Sequence, residues 1–201
     1  MNFKEIAVIL VGYQNDYFAE DGILKGVVEE PGRVDQVLTN TLALIKKLAP
    51  TEASIIATGI VLTPSYRALA NSTGILDKIK EVGAFTQGTS GAETIKELKQ
   101  FGDRITYITG KEGFNSFQNT NLGQTLKDKG IKQVWVAGMV TSLCIDSTGR
   151  AAYEDGHEVA ILSDCCSART DLEQKFFCES VFPLYAKVID GSQVQVGAAS
   201  D

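Results

Sequence analysis

The sequence predicts an α/β protein: a three-layer α/β/α sandwich around a mostly parallel, six-stranded sheet of the Rossmann-like type. Short apolar runs, such as IAVILV at 6–11 and VWVAG at 134–138, alternate with longer segments of helical periodicity. The runs are continuously apolar and do not alternate with polar residues, which indicates strands covered on both faces. Right-handed crossovers between such strands place helices on both sides of the sheet.

The predicted strands are the apolar and β-branched runs of the chain. In order they span 6–11, 54–61, 104–108, 133–137, 158–162 and 185–189. Helical periodicity fills the intervals at 34–48, 94–101, 121–129, 143–155 and 172–180. Pro50 ends the first of these helices, and a glycine follows each of the next three, as is common at helix C-termini. Thr63-Pro64 predicts one more helix start, with Pro at the first helical position.

Length and composition predict one folded domain over residues 1–201, with a small, polar tail at 196–201 that frays. The chain is 44% hydrophobic and 22% charged, which excludes wholesale disorder. Its net charge of −6 argues against nucleic acid as a partner, because nucleic-acid-binding proteins usually carry a basic face. The apolar run at 6–11 is too short for a membrane span or a secretory signal, so we expect a cytoplasmic protein without a membrane partner.

The four cysteines fit the same compartment, since their spacing is not that of a disulfide framework. Neither C-x-x-C nor a Cys/His cluster occurs, so the sequence predicts no zinc site and no other metal or cofactor.

Reactive side chains follow several predicted strands. Ligands of open parallel sheets bind beyond the carboxyl ends of the strands, which here selects the loops 12–18, 109–114 and 138–144. Lys111, Cys144 and nearby carboxylates are the reactive groups on that rim. The predicted strand–turn–helix junction places Cys144 near a helix N-terminus, where unpaired N–H groups favour a thiolate and can hold an oxyanion. A small buried hydrophobe is an equally good interpretation of this position alone.

The remaining cysteines and the lone histidine are not assigned to the site. Cys165, Cys166 and Cys178 are interpreted as core or strand-end residues. His157 precedes the fifth predicted strand and therefore lies at the edge opposite the crevice. We expect it at the surface, and a Cys–His dyad is not predicted.

Three segments resemble the isochorismatase-like cysteine hydrolase superfamily, which includes nicotinamidases, N-carbamoylsarcosine and ureidoacrylate amidohydrolases, and isochorismatases. They are VILVGYQNDYF at 8–18, the stretch from GKEGF to DCCSA at 110–168, and, more weakly, FPLYAKVI at 182–189. The spacing from Lys111 through Gly138 to Cys144 is the specific part. The resemblance implies the same sandwich fold and a homodimer or homotetramer that acts on a small-molecule substrate.

The resemblance also implies roles for individual residues. Cys144 is the nucleophile, Lys111 is its cationic partner, and backbone groups of Val140, Thr141 and Cys144 hold the oxyanion. A cis peptide in the turn before the nucleophile is implied at Met139–Val140.

One departure concerns the family's catalytic aspartate. The family pattern D-x-Q-x-D-F reads Gly12-Tyr13-Gln14-Asn15-Asp16-Tyr17 here, so Gly12 stands where the general base is expected. Losing a general base costs about 10²–10⁴-fold in rate. Asp16 and Glu112 are the nearest candidates for a substitute base, although Asp16 is better interpreted as a loop-capping residue. A catalytically silent binding or regulatory module is the alternative interpretation, and a redox-sensing thiol is a third.

Two further comparisons concern the type of substrate. Nicotinamidases carry an Asp/His metal cluster after the second strand, whereas residues 58–66 here contain neither His nor carboxylate. True isochorismatases lack the nucleophilic cysteine, so Cys144 favours hydrolysis of an amide or ureide C–N bond. Aromatic side chains near the rim, together with Tyr17, are candidates for the wall of the substrate pocket: Phe18, Tyr66, Phe114 and Phe117.

Overall fold

A single six-stranded, all-parallel sheet forms the centre of the molecule, with helices on both sides. The computed structural model describes residues 1–30 and 32–196. The strands are β1 (Ile6–Val11), β2 (Ser54–Thr58), β3 (Thr106–Ile108), β4 (Gln133–Met139), β5 (Glu158–Ser167) and β6 (Lys187–Ile189), in the order β3-β2-β1-β4-β5-β6. β1 is buried along its whole length, as a central strand covered on both faces requires.

The helices cover the sheet through amphipathic faces. They are α1 (Asn15–Phe18), α2 (Arg33–Leu48), α3 (Ile75–Val82), α4 (Lys96–Lys99), α5 (Leu122–Asp128), α6 (Asp146–Glu154) and α7 (Asp171–Phe176). π-helical turns precede α6 (Thr141–Ile145) and follow α7 (Phe177–Val181), and short 3-10 turns occupy Phe3–Glu5, Lys25–Val27, Arg67–Leu69, Gly102–Arg104, Phe182–Leu184 and Gly191–Gln193. The predicted period of α2 is confirmed, since its apolar positions from Val34 to Leu48 are buried at helical spacing.

The strand order creates one crevice. After β1 the chain builds β2 and β3 on one side, and it then crosses over to place β4 on the other side of β1. The carboxyl ends of β1 and β4 therefore diverge at a topological switch point, where open α/β sheets bind their ligands. The residues after β1 and those after β4 meet at this edge.

Gly138 allows β4 to lie close to β1 at that edge. Its φ is +127°, and a Cβ built there would lie 1.9 Å from the carbonyl oxygen of Val11. Any side chain would therefore push the two strands apart just before the turn that follows β4.

Most predicted boundaries differ from the structure by a few residues, and two of the differences have a clear physical reason. β5 continues to Ser167, five residues beyond its predicted end, because its register against β4 shifts between Val136 and Gly138. The helix start predicted at Thr63-Pro64 is wrong: these residues open a turn, with the amide of Tyr66 donating to the carbonyl of Thr63. Proline presets the same φ at the second position of a β-turn as at the first position of a helix, so the local signal is ambiguous.

The ends of the chain add little to the fold. Apart from Val196, the tail predicted to fray at 196–201 lies outside the described residues. Within residues 1–30 and 32–196, no helix combines the length and the apolar character needed to cross a bilayer.

Candidate active site

Cys144 lies in the turn that follows β4, at the crevice between β1 and β4. It belongs to the π-helical turn that precedes α6, and only 4% of its surface is exposed. Its Sγ accepts a hydrogen bond of 3.5 Å from Nζ of Lys111, which follows β3. The structure thus joins two residues separated by 33 positions in the chain.

Lys111 is a buried lysine with few partners. Its Nζ donates to the carbonyl of Gly113 as well as to Cys144, and 1% of its surface is exposed. Burial lowers the pKa of Lys111 below the usual 10.5, and the charge and hydrogen bond of Cys144 partly offset this effect. A buried ammonium group and a thiolate beside it stabilise each other's charged forms.

Backbone groups around Cys144 are arranged for contact with a ligand. The Met139–Val140 peptide is cis, which confirms the expectation from the sequence. The carbonyl of Val140 accepts from the amides of Leu143 and Ile145. The first amides of a helical segment have no partner inside it, which leaves N–H groups at this turn to bind a negatively charged oxygen.

Gly12 directly follows β1 and lies beside this turn. Its φ is +75°, and a Cβ there would lie 3.1 Å from the carbonyl oxygen of Met139 and 3.5 Å from the ring of Tyr17. A residue with a side chain would thus be strained in its backbone and tightly packed. The space that a side chain at position 12 would enter is covered by the ring of Tyr17.

A narrow cavity leads to Cys144. It is tightly enclosed and contains little free volume. Its walls are mostly apolar and are formed by Tyr17, Leu24, Val27, Ile60, Ile75, Ile79, Phe114, Val140, Leu143, Cys144 and Arg169. A pocket with apolar walls and a few converging polar groups is the usual form of a small-molecule site.

The family model for the isochorismatase domain matches residues 6–193. The chain belongs to the isochorismatase family.

Individual relatives share low sequence identity with this chain, but they match most of its length. The isochorismatase family protein YwoC of Bacillus subtilis (strain 168) is 24% identical over 190 residues, which cover 93% of this chain and 90% of YwoC. A cysteine hydrolase from Pseudomonas syringae pv. phaseolicola 1448A has the same fold, with a TM-score of 0.80, 18% identity, and coverage of 96% of this chain and 92% of that one. N-carbamoylsarcosine amidase from Thermoplasma acidophilum matches with a TM-score of 0.76, 18% identity, and coverage of 96% and 99%.

The two candidate substitute bases of this isochorismatase-family chain are not in the cavity. Oδ2 of Asp16 accepts a 2.6 Å hydrogen bond from the backbone amide of Phe85, so this carboxylate fixes the loop that contains Phe85. Burial raises the pKa of Asp16 above the usual 3.8, and the Phe85 bond partly offsets the rise. The geometry therefore favours the loop-capping interpretation over the substitute base. Glu112 is half-buried and does not line the cavity either.

Of the five aromatic residues proposed for the wall of the substrate pocket, Tyr17 and Phe114 line the cavity. Phe18 stacks on Tyr13 with ring centroids 5.0 Å apart. The hydroxyl of Tyr66 donates to the carbonyl of Ala84, which fixes the ring in the core. Phe117 lies beside α5, next to Gly123. The expectation for Phe18, Tyr66 and Phe117 is therefore corrected: the contacts just described hold these rings, and none of the three lines the cavity.

Several residues that contact the site were not found from the sequence. Arg169 lines the cavity and pairs with Glu173 on α7, with Nε 3.3 Å from Oε2. Gln174 accepts from the hydroxyl of Thr141 at 2.7 Å, and Glu173 accepts from Ser142. The loop after β5 also lies at the carboxyl end of a strand, where ligands bind. Because the sequence predicts that β5 ends at residue 162, it does not identify Arg169 as part of that loop.

The remaining titratable residues lie elsewhere. His157 precedes β5, far along the sheet from the crevice, but it is buried at 7% exposure, so the expected surface position is wrong. Its amide donates to the carbonyl of Ala152, and its Nε2 lies 3.7 Å from Oδ2 of Asp155, so the turn folds the ring inward. Cys165 and Cys166 are buried in β5. Within the described part of the chain, no group of three or more His, Cys, Asp or Glu side chains is placed to hold a metal ion.

Proposed function

We propose that this isochorismatase-family hydrolase uses Cys144 to cleave the C–N bond of a small amide or ureide through a covalent acyl-enzyme. The observation that carries the proposal is the 3.5 Å contact between Nζ of Lys111 and Sγ of Cys144, a residue that lines the cavity at the switch point of the sheet. A neighbouring ammonium favours the thiolate, which is the nucleophilic form of cysteine.

The proposed reaction has two stages. The Cys144 thiolate attacks the substrate carbonyl, and backbone N–H groups of Val140, Thr141 and Cys144 stabilise the oxyanion of the tetrahedral intermediate. Loss of the amine leaves a thioester on Cys144, and water then hydrolyses it to the acid. Lys111 stabilises the thiolate at the start and at the end of the cycle.

The cavity supports a small and largely apolar substrate. Its apolar wall, with Tyr17 and Phe114, suits a flat molecule, and Arg169 adds one cationic group. The names of related proteins agree with the class of reaction, since N-carbamoylsarcosine amidase shares the fold and Nicotinamidase 3 of Arabidopsis thaliana is 31% identical over 77 residues.

Trapping the intermediate tests this proposal. The purified protein is incubated with nicotinamide, acetamide, N-carbamoylsarcosine, ureidoacrylate and p-nitrophenyl acetate, quenched in acid, and analysed by peptide mass spectrometry. We expect an acyl group on Cys144, no acylation of Cys144→Ala, and slower acylation of Lys111→Met. An acyl group on another residue, with Cys144→Ala fully active, would contradict the proposal.

A silent binding module is the second candidate, and Gly12 is the observation that favours it. A glycine at this position supplies no carboxylate for proton transfer. This alternative predicts that compounds of the same panel raise the melting temperature of the wild-type protein without any turnover.

A further inference from the structure

We propose that the hydroxyl of Tyr17 takes the place of the missing carboxylate at position 12 and transfers the proton to and from the leaving group. This inference rests on the proposed function. It assigns a catalytic residue that neither the family pattern nor the candidates Asp16 and Glu112 provide.

The first support is steric. A Cβ at Gly12 would lie 3.5 Å from Cε2 and 3.7 Å from Cδ2 of Tyr17. The ring of Tyr17 therefore covers the place into which a side chain at position 12 would project. Both positions depart from the pattern D-x-Q-x-D-F together, with glycine for aspartate at 12 and tyrosine for phenylalanine at 17. The carboxylate is lost where a hydroxyl-bearing ring is gained.

The second support is access to the nucleophile. Tyr17 and Cys144 line the same narrow cavity, so a substrate bound there can contact both side chains. The side chain is fixed, because Tyr17 is buried and its ring packs against Phe85 with centroids 5.3 Å apart. Its hydroxyl makes no hydrogen bond with any residue of 1–30 and 32–196, so it is available to a substrate.

Burial keeps Tyr17 in its proton-donating form. Burial raises the pKa of Tyr17 far above 10, and the negative charges of Cys144 and Asp16 raise it further. When the thiolate attacks, its charge passes to the substrate oxygen. The departing nitrogen becomes strongly basic as the C–N bond breaks, so even a weak acid beside it can supply the proton.

The proton transfers balance over one cycle. In acylation the S–C bond forms, the C–N bond breaks, and the nitrogen receives the Tyr17 proton, which gives a free amine, a thioester and a Tyr17 phenolate. In deacylation a water oxygen bonds to the carbonyl carbon and gives one proton to the phenolate, and the C–S bond breaks. The products are the carboxylic acid, the Cys144 thiolate and the original phenol. The sum is hydrolysis of one amide by one water.

The dependence on the leaving group tests this role with Tyr17→Phe. Two substrates are compared: the amide of the panel that the wild type hydrolyses fastest, and p-nitrophenyl acetate, whose leaving group departs as an anion. We expect amide turnover to fall by about 10²–10⁴-fold, the usual contribution of a general acid–base group. The initial burst of nitrophenolate should stay close to that of the wild type, followed by slow deacylation.

Controls separate this result from a folding defect. A partly unfolded sample lowers the amide rate and the ester burst together, whereas loss of the proton donor lowers only the first. Tyr13→Phe removes a buried hydroxyl that bonds to Thr41 at 2.6 Å and lies outside the cavity, so it should lower stability and leave both rates unchanged. Amide turnover in Tyr17→Phe equal to that of the wild type, or an equal loss with both substrates in a sample that melts as the wild type does, would overturn the role of Tyr17. A wild type that never acylates Cys144 would instead overturn the proposed function and this role with it.

Discussion

At the scale of single residues, burial decides which polar groups are free to react. Lys111 and Asp16 are both buried, but they face different partners. Nζ of Lys111 contacts the sulfur of Cys144, whereas the Asp16 carboxylate is occupied by the amide of Phe85. Two residues of equal chemical interest in the sequence thus have separate roles in the folded chain.

Substitutions of Asp16 test its structural role. We expect Asp16→Asn to keep the hydrogen bond to Phe85 and activity near that of the wild type, whereas loss of a general base would cost about 10²–10⁴-fold. Asp16→Ala removes the acceptor of a buried amide and should lower the free energy of unfolding by about 1–3 kcal/mol. Activity assays and urea unfolding of both variants measure these effects, and a large activity loss in Asp16→Asn alone would restore the substitute base.

The same pair predicts a pH dependence. The pKa of Asp16 is raised in the folded state, so its contribution to stability is fully present below the pKa of the unfolded chain and is lost as pH rises through the folded pKa. Asp16→Asn lacks this loss. The difference in free energy of unfolding between Asp16→Asn and the wild type should therefore shift in favour of the variant as the pH rises from acid to neutral.

At the scale of elements, α7 supports the turn that carries Cys144. Its Glu173 and Gln174 accept hydrogen bonds from the first two residues of that turn. The helix is only six residues long and depends on its cap, since the hydroxyl of Thr170 accepts from the amide of Glu173. The sequence pattern Thr-x-x-Glu at 170–173 is typical of a helix start. Here the Glu173 side chain also accepts a hydrogen bond from Ser142 in the turn that carries Cys144.

Thr170→Ala tests this dependence. Removing an N-cap typically lowers the free energy of unfolding by about 0.5–2 kcal/mol. We also expect slower acylation of Cys144, because Glu173 and Gln174 are held less firmly. Thr170→Ser retains the acceptor and should behave like the wild type in denaturant unfolding and in the acylation assay. Equal effects of the two substitutions would rule out the cap as the cause.

At the scale of the whole molecule, Arg104 joins parts of the fold that are distant in sequence. It precedes β3, and its guanidinium donates to the carbonyls of Leu48, Ala49, Thr51 and Ala53. The last turn of α2, the connection and the start of β2 are thereby tied to β3. One planar cation satisfies carbonyl groups that α2 leaves without partners at its C-terminus.

Arg104→Ala should lower the free energy of unfolding by about 1–3 kcal/mol, because partly buried carbonyls lose their donor. Arg104→Lys keeps the charge but not the planar fork, so we expect it to recover only part of the loss. Both variants should still acylate Cys144 at the wild-type rate, since Arg104 lies at the start of β3 and the crevice at the strand ends. Urea unfolding and the trapping assay check this, and an alanine variant as stable as the wild type would contradict it.

The oligomeric state is a further property of the whole molecule. The homodimer or homotetramer that the resemblance implies stays a prediction, as does the extent of the domain over the whole of 1–201. Neither depends on the contact between Lys111 and Cys144, which forms within one chain.

The sequence by itself determined the fold class, the bounds of β1 and the place of Lys111 and Cys144 at one sheet edge, while the resemblance to the family implied their pairing. Continuous apolar runs, helical periods and the crevice rule are local or topological signals, and they need no knowledge of packing. Tertiary structure decided the rest: that Asp16 holds a loop, that His157 is buried, that only two of the five aromatic candidates line the cavity, and that Arg169 lines it as well. The direction of a side chain in a loop is set by contacts with residues far along the chain, which residue order does not display.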